Sequence, residues 1–376
     1  MIKTDCKHFP LDRPCSFHKK SGIKCINCTH YAPLNNSSAN KEILIIKLGA
    51  MGDVLRTTFL LKGLKQKYPN CKITWIVAKY SFDVLKNNPY IKEIWINDEY
   101  TGTKLVLRKF DIVINLDLSP DSISLATLAI ADNKLGFTMD RKKRKVISSN
   151  KYAKHWLKMS SFDDVKKSNK NTYQYWMSKI VGLPKDNYEI FTPLNKKSLE
   201  KAKRFAKSKK IQNDYLVGIN PGAGGRWKYK KWTNKGYVEI IKKLSDQKIK
   251  VLLFGGPEEK DLIEYLLKKS NNKAISTGTD NSLPDFFSLL NLCNVVITGD
   301  TLSLHAALGL KKKVLSVFGP TSANEIELYN RGVKVVTPAK CRCCYLPFCN
   351  VSPNCMDLIS TQMVWSALST LIPLRY

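Results

Sequence analysis

The stretch "ILIIKLGAMGDVLRTTFLL", residues 43–61, joins an apolar run to Gly-x-x-Gly and then to a helical pattern. This order suits a nucleotide-binding loop, in which glycines let backbone N–H groups close on a phosphate at a helix start. Here an acid, Asp53, stands where the anion would dock. A carboxylate at that point either caps the first turn's N–H groups or takes a proton.

Three later stretches offer better chemistry for an anion. In "INPGAGGRWKYKKW", Pro221 to Gly225 follow an apolar run. Gly222, Ala223 and Gly224 can therefore bring N–H groups against a phosphate, with Lys228, Lys230 and Lys231 as nearby cations. The pattern is neither a Walker loop nor Gly-x-Gly-x-x-Gly. "FGGPEE" sets Glu258 just beyond another run, placed either to take a ribose hydroxyl or to open a helix. "VVITGDTLSLHAALG" packs Asp300, Thr301, Ser303 and His305 into one strand-to-helix turn. Capping explains one or two of these groups but not four, so this turn is the strongest ligand candidate.

The elements that must hold these loops follow from hydrophobic periodicity. From Lys41, the runs "EILIIKL", "KITWIVA", "EIWI" and "DIVINLD" alternate with helical stretches, and the near-continuous β-branched strands predict a parallel sheet covered on both faces. Residues 138–215 carry little strand signal. The charged run 141–145 reads as a solvated loop and "NTYQYWMSKIVGL" as one amphipathic helix. Alternation resumes in "YLVGINPG", "KVLLFGGP", "AISTG", "VVITGD" and "VLSVFGP", each running into a glycine. Ligands of open α/β sheets bind outside the carboxyl ends of strands. The expectation is an α/β protein with two doubly wound, Rossmann-like domains whose strand ends face a shared cleft. Boundaries are set at 1–40 for a Cys-rich leader ending in the polar linker "PLNNSSAN", 41–195 for the first domain, 196–355 for the second, and 356–376 for a C-terminal helix that packs back on the first domain.

The ordered set "KLGAMGDVLRT", "NPGA…KKW", "FGGPEE", "TGDTLSLHAALG" and "VFGPTSANE" resembles glycosyltransferase family 9, the ADP-heptose:lipopolysaccharide heptosyltransferases, over about residues 42–370. The resemblance implies a GT-B architecture, with the acceptor held mainly by the first domain (Gly49, Gly52, Asp53) and the nucleotide-sugar by the second. It implies inverting transfer in one displacement with no catalytic metal or other cofactor, Asp53 as general base, and Lys230 and Asp300 on the donor's phosphate and sugar. Gly222, Ala223, Gly224, Glu258, Thr301, Leu302, Ser303 and His305 complete the implied donor set. Where the family usually has "DTGLxH", this chain has "DTLSLH", with Leu302 in place of glycine.

Eleven cysteines are unevenly spread, and nine of them form two clusters. Cys6, Cys15, Cys25 and Cys28 lie in the leader among His8, His18 and His30; Cys341, Cys344, Cys349 and Cys355, with the extra thiol Cys343, lie near the C-terminus. Either set suits a tetrahedral thiolate site, and a 40-residue leader cannot build a core of its own, so a structural zinc or iron centre is expected. Free thiols or oxidation-labile pairs are the alternative.

The chain has 376 residues, 43% of them hydrophobic, and a formal charge of +31. No signal peptide or membrane helix is evident in it, which predicts a cytoplasmic protein. The excess charge favours an anionic partner: a phosphorylated glycan, or the inner-membrane surface approached through the apolar "MVWSALSTLIPL". Two other readings compete. One is a GT-B enzyme with a different sugar-nucleotide chemistry, such as an epimerase. The other is a basic, metal-stapled nucleic-acid binder, which needs none of the ordered loops.

Overall fold

The computed structural model describes residues 1–33, 40–346 and 348–374, and only the backbone of 226–228; most of the expected linker therefore lies outside the described residues. The chain forms two compact units, Met1–Lys41 and Glu42–Tyr376.

The larger unit holds two six-stranded sheets. The first comprises β1 (Glu42–Ile46), β2 (Lys72–Val77), β3 (Glu93–Ile96), β4 (Lys109–Asn115), β5 (Ile130–Asp140) and β6 (Lys145–Ser148), in the order β3-β2-β1-β4-β5-β6. All its pairings are parallel except β5 with β6. The second comprises β7 (Leu216–Asn220), β8 (Lys250–Leu253), β9 (Ile275–Ser276), β10 (Val295–Gly299), β11 (Lys313–Phe318) and β12 (Gly332–Val336), in the order β12-β11-β10-β7-β8-β9, parallel throughout. Both follow the 3-2-1-4-5 winding of Rossmann sheets, in which chain direction across the sheet reverses beside the first strand. The reversal falls between β1 and β4 in one sheet and between β7 and β10 in the other.

The apolar runs account for the central strands. Ile43, Leu44, Ile45 and Ile46 are fully buried, as are Val295, Val296 and Ile297, because each sheet is covered on both faces. The strands absent from the sequence reading lie at the margins. β5 is exposed or half-buried except at Gly136 and Phe137, and β6 and β12 are short edge strands, so none shows the apolar signature of a central strand.

One hydrophobic cluster runs through both halves, uniting Val54 and Leu55 with Leu304 and Ala307. The helix Met51–Thr57 packs on the helix Leu302–Gly309, and Lys196–Ser208 packs on Leu283–Leu290. The segment between the halves is pinned to both. Thr58 Oγ1 accepts from the Phe191 N–H at 2.9 Å, and Thr192 Oγ1 donates to the Ala306 carbonyl at 3.1 Å. The sequence reading sent the C-terminal helix back to the first domain. Instead the helix Thr361–Ser369 packs on β12 and on the helix Asn234–Asp246, with Val364 and Leu368 buried in the second half's cluster. Its apolar face is thus spent on the nearest sheet. Among the described residues no helix is long and apolar enough to cross a membrane.

Gly136 in β5 has φ +89°, and a Cβ there would lie 1.8 Å from the Asn115 carbonyl oxygen. Gly136→Ala is expected to lower stability by about 2 kcal/mol or more in urea denaturation, because it combines left-handed backbone strain with a backbone clash. Gly102→Ala, which meets only the flexible tip of Leu128, should be neutral or slightly stabilising.

Candidate active site

The loops after β1, β7 and β10 lie at the carboxyl ends of strands flanking the reversal points, and each has a different electrostatic filling. After β1, Asp117 supplies the anion. Its Oδ2 accepts from the Leu48 and Gly49 N–H groups at 2.7 and 3.0 Å, and its Oδ1 takes a hydrogen bond from Lys47 Nζ. Lys47 is 5% exposed. Burial pulls its pKa down, but Asp117, then Tyr173 and Asp53, outweigh burial and keep it charged. The first loop's donors are therefore already occupied by the protein's own carboxylate. Gly49 faces that pair: a Cβ there would lie 3.5 Å from both Asp117 Oδ1 and Lys47 Nζ.

Asp53 sits in the first turn of the Met51 helix and keeps 38% of its side-chain surface accessible, so it is open to a ligand. Arg56 Nη2 lies 2.9 Å from its Oδ1, and the guanidinium stacks on Tyr173 at 3.9 Å from the ring centroid. Burial raises the Asp53 pKa, but Arg56, then Lys47, His305 and Lys230, bring it down to about 2. The carboxylate is ionised at neutral pH. Two of those groups, His305 and Lys230, belong to the second half, which comes close here: a Cβ on Gly52 would lie 3.3 Å from the His305 ring and 3.5 Å from the Leu302 backbone. Gly52 is small so that the starts of the two helices can touch.

After β7 the filling is again internal. Glu259, 6% exposed, accepts from the Gly224 N–H at 3.3 Å and the Gly256 N–H at 3.0 Å, and Lys231 Nζ lies 3.9 Å away. A Cβ on Gly222 would lie 2.5 Å from Glu259. Glu258, singled out from the sequence, is exposed, with Oε2 3.2 Å from where a Gly225 Cβ would fall. Ala223 is half-buried, and the Lys228 side chain lies outside the described residues.

The loop after β10 lacks such a stopper. Thr301 begins the Leu302 helix without a side-chain cap, its Oγ1 engaged by Thr298 at 3.1 Å and Asn220 at 3.5 Å. Ser303 is 1% exposed, and its Oγ has no hydrogen-bond partner. Lys230 Nζ stands 3.6 Å from Asp300 Oδ2, and His305 Nε2 4.0 Å from Asp300 Oδ1. An uncapped helix start, an unpartnered buried hydroxyl and a lysine make the best seat for a phosphate group in the cleft. Burial chiefly, then Arg56, drives the His305 pKa down to about 4 against the pull of Asp300 and Asp53, so the ring is neutral at pH 7.

Glu325 closes this side. Its carboxyl is 9% exposed and receives the Tyr345 hydroxyl at 3.1 Å; burial raises its pKa against the opposing pull of Arg56. Lys47, Arg56, Asp117, Tyr173, Glu259, Glu325 and Tyr345 were not selected from sequence. Arg56 could have been, at i+3 from Asp53 on one helix face. All 11 cysteines are free thiols, and among the described residues no three Cys, His, Asp or Glu side chains are gathered so as to hold a metal ion. Burial first, then Cys344, Cys341 and Cys349, push the Cys355 thiol up to about 11, so these four are electrostatic neighbours.

Two Rossmann sheets with their reversal points beside a candidate anion seat make the GT-B architecture used by nucleotide-sugar enzymes. The sequence pattern of "Glycosyltransferase family 9 (heptosyltransferase)" matches residues 101–345, a span that includes the second and third loops but not Asp53. The chain belongs to that family. Lipooligosaccharide heptosyltransferase 2 of Haemophilus influenzae is 22% identical over 308 residues, covering 75% of this chain and 84% of the relative. The family 9 glycosyl transferase of Veillonella parvula superposes with TM-score 0.75 at 19% identity, covering 88% of this chain and 97% of that one. The Escherichia coli ADP-heptose LPS heptosyltransferase II does so with TM-score 0.64 at 16% identity, covering 88% and 98%.

The neutral His305 carries a pH signature. Its folded pKa of about 4 lies below the unfolded value of 6.5, so its contribution is fully present above pH 6.5 and is lost as pH falls toward 4. That loss is on the order of 3 kcal/mol. The imidazole is expected to titrate near pH 4 in NMR, and His305→Gln should flatten the fall in stability between pH 6.5 and 4.

Proposed function

We propose that the protein transfers heptose from ADP-heptose, with inversion, to a hydroxyl group of a lipopolysaccharide-type acceptor. The observation that carries this reading is the convergence of an accessible, ionised carboxylate from the first half with a phosphate seat from the second, brought together at Gly52 and Leu302. The donor's diphosphate sits at the start of the Leu302 helix beside Lys230, with Ser303 Oγ as an added donor. Asp300 and His305 face the sugar.

Transfer forms a bond from the acceptor oxygen to the anomeric carbon as the bond from that carbon to the β-phosphate oxygen breaks. The acceptor proton goes to Asp53 and the electron pair leaves with ADP, whose growing charge falls on Lys230 and the helix start. A carboxyl held at about 2 is a weak base, so proton transfer comes late, when the attacking hydroxyl has already become acidic. Glu258, exposed beside the donor loop, is the candidate for the ribose. The relatives' names support heptose as the sugar, and the +31 charge favours an anionic, lipid-linked glycan acceptor met at the cytoplasmic face of the membrane.

ADP-heptose is expected to raise the melting temperature of the purified protein where GDP-, UDP- and dTDP-sugars do not; stabilisation by another sugar-nucleotide alone would remove the donor assignment. Asp53→Asn should bind the donor as the wild type does and transfer roughly 10²- to 10⁴-fold more slowly. Full transfer by that variant would remove Asp53 as base.

A further inference from the structure

The leader has structure without a core. Residues 1–33 form the helix Ser16–Ser21, the turn Cys25–Asn27 and an antiparallel bridge from Cys6 to Pro33, and not one of these residues is buried. A segment of this size does not hold such elements by apolar burial alone. In place of a core it encloses a cavity of about 350 Å³, lined by Cys6, Cys15, Cys25 and Cys28.

The size of that space favours a multi-atom centre over a single ion. Four thiolates about 2.3 Å from one zinc ion lie within roughly 4 Å of one another and leave no void between them. Among the described residues no three Cys, His, Asp or Glu side chains are gathered in that way. The four cysteines instead border one cavity of about 350 Å³, which they share with apolar residues such as Phe9 and Phe17. The neighbouring histidines have other engagements: His8 and His30 pack on the Phe17 ring at 5.0 and 4.1 Å, and His18 Nδ1 lies 3.1 Å from the Ile23 carbonyl. Cys15 Sγ accepts the His18 N–H at 3.5 Å, the kind of contact that stabilises a cluster-bound thiolate. Lys3, Arg13 and Lys24 also line the cavity, matching the negative charge of a metal–sulfide core bound by four thiolates.

We propose that the leader binds an iron–sulfur cluster through the thiolates of Cys6, Cys15, Cys25 and Cys28, and that the cluster takes the place of its missing core. The bonds formed are four iron–thiolate bonds, with the thiol protons released to solvent. Its four ligands all belong to the unit Met1–Lys41, and none is among the residues of the proposed donor and acceptor sites.

The test uses the full chain, purified without oxygen. Iron and acid-labile sulfide should be present in equal amounts, at two or more of each per chain, with a broad visible absorption that bleaches on dithionite. Cys25→Ser together with Cys28→Ser should lose most of the iron and sulfide, while Cys341→Ser together with Cys344→Ser should retain them. Stoichiometric zinc without sulfide, no bound metal, or iron lost from the Cys341/Cys344 variant alone would each overturn the proposal. If the leader variant precipitates, the metal and sulfide content of the wild-type chain still decides.

Discussion

The cleft depends on the carboxylate of Asp117. By accepting from two backbone N–H groups and from buried Lys47, it fills the first loop with a negative charge that belongs to the fold. Removing it would leave an ammonium 5% exposed and two donors without an acceptor, the kind of uncompensated burial that costs several kcal/mol. With the site occupied, the loop cannot receive a phosphate. It presents Asp53 instead, and Lys47 contributes to keeping that carboxylate ionised.

Glu259 does the same to the loop after β7, holding the N–H groups of Gly224 and Gly256. Two of the three loops carry internal anions, and the third has an uncapped helix start with a buried hydroxyl awaiting a partner. A basic side chain serves each carboxylate in turn: Lys47 for Asp117, Arg56 for Asp53, Lys231 for Glu259, Lys230 for Asp300. This division of charge separates the Asp53 carboxylate from the proposed phosphate seat while the two helix starts remain in contact through Gly52.

Much of this was legible in sequence, because central strands buried on both faces leave near-continuous apolar runs. β1, β2, β4, β7, β8, β10 and β11 all lie in such runs, and the turn from Asp300 to His305 stands out by its density of polar groups. The internal stoppers were not legible. Asp117 and Lys47 lie 70 residues apart, and only the parallel register of β1 on β4 brings them together. The Pro257–Glu259 turn decides which of two adjacent glutamates faces inward, and one residue's rotation favours Glu259 over Glu258. β6 and β12 escape that signature because edge strands lack the apolar continuity that marks central ones. The C-terminal helix was recognised as a helix but assigned to the wrong half, since an apolar face does not say which surface it will cover.

On the proposed function, the donor's phosphates belong at the start of the Leu302 helix and not at the glycine turn after β1. A crystal structure of the ADP complex tests it directly. The expected result is a β-phosphate within hydrogen-bond distance of Lys230 Nζ, Ser303 Oγ and the first backbone N–H groups of that helix, with Asp117 still clamped to Lys47, Leu48 and Gly49. A phosphate seated on Leu48 and Gly49, with Asp117 displaced, would contradict it.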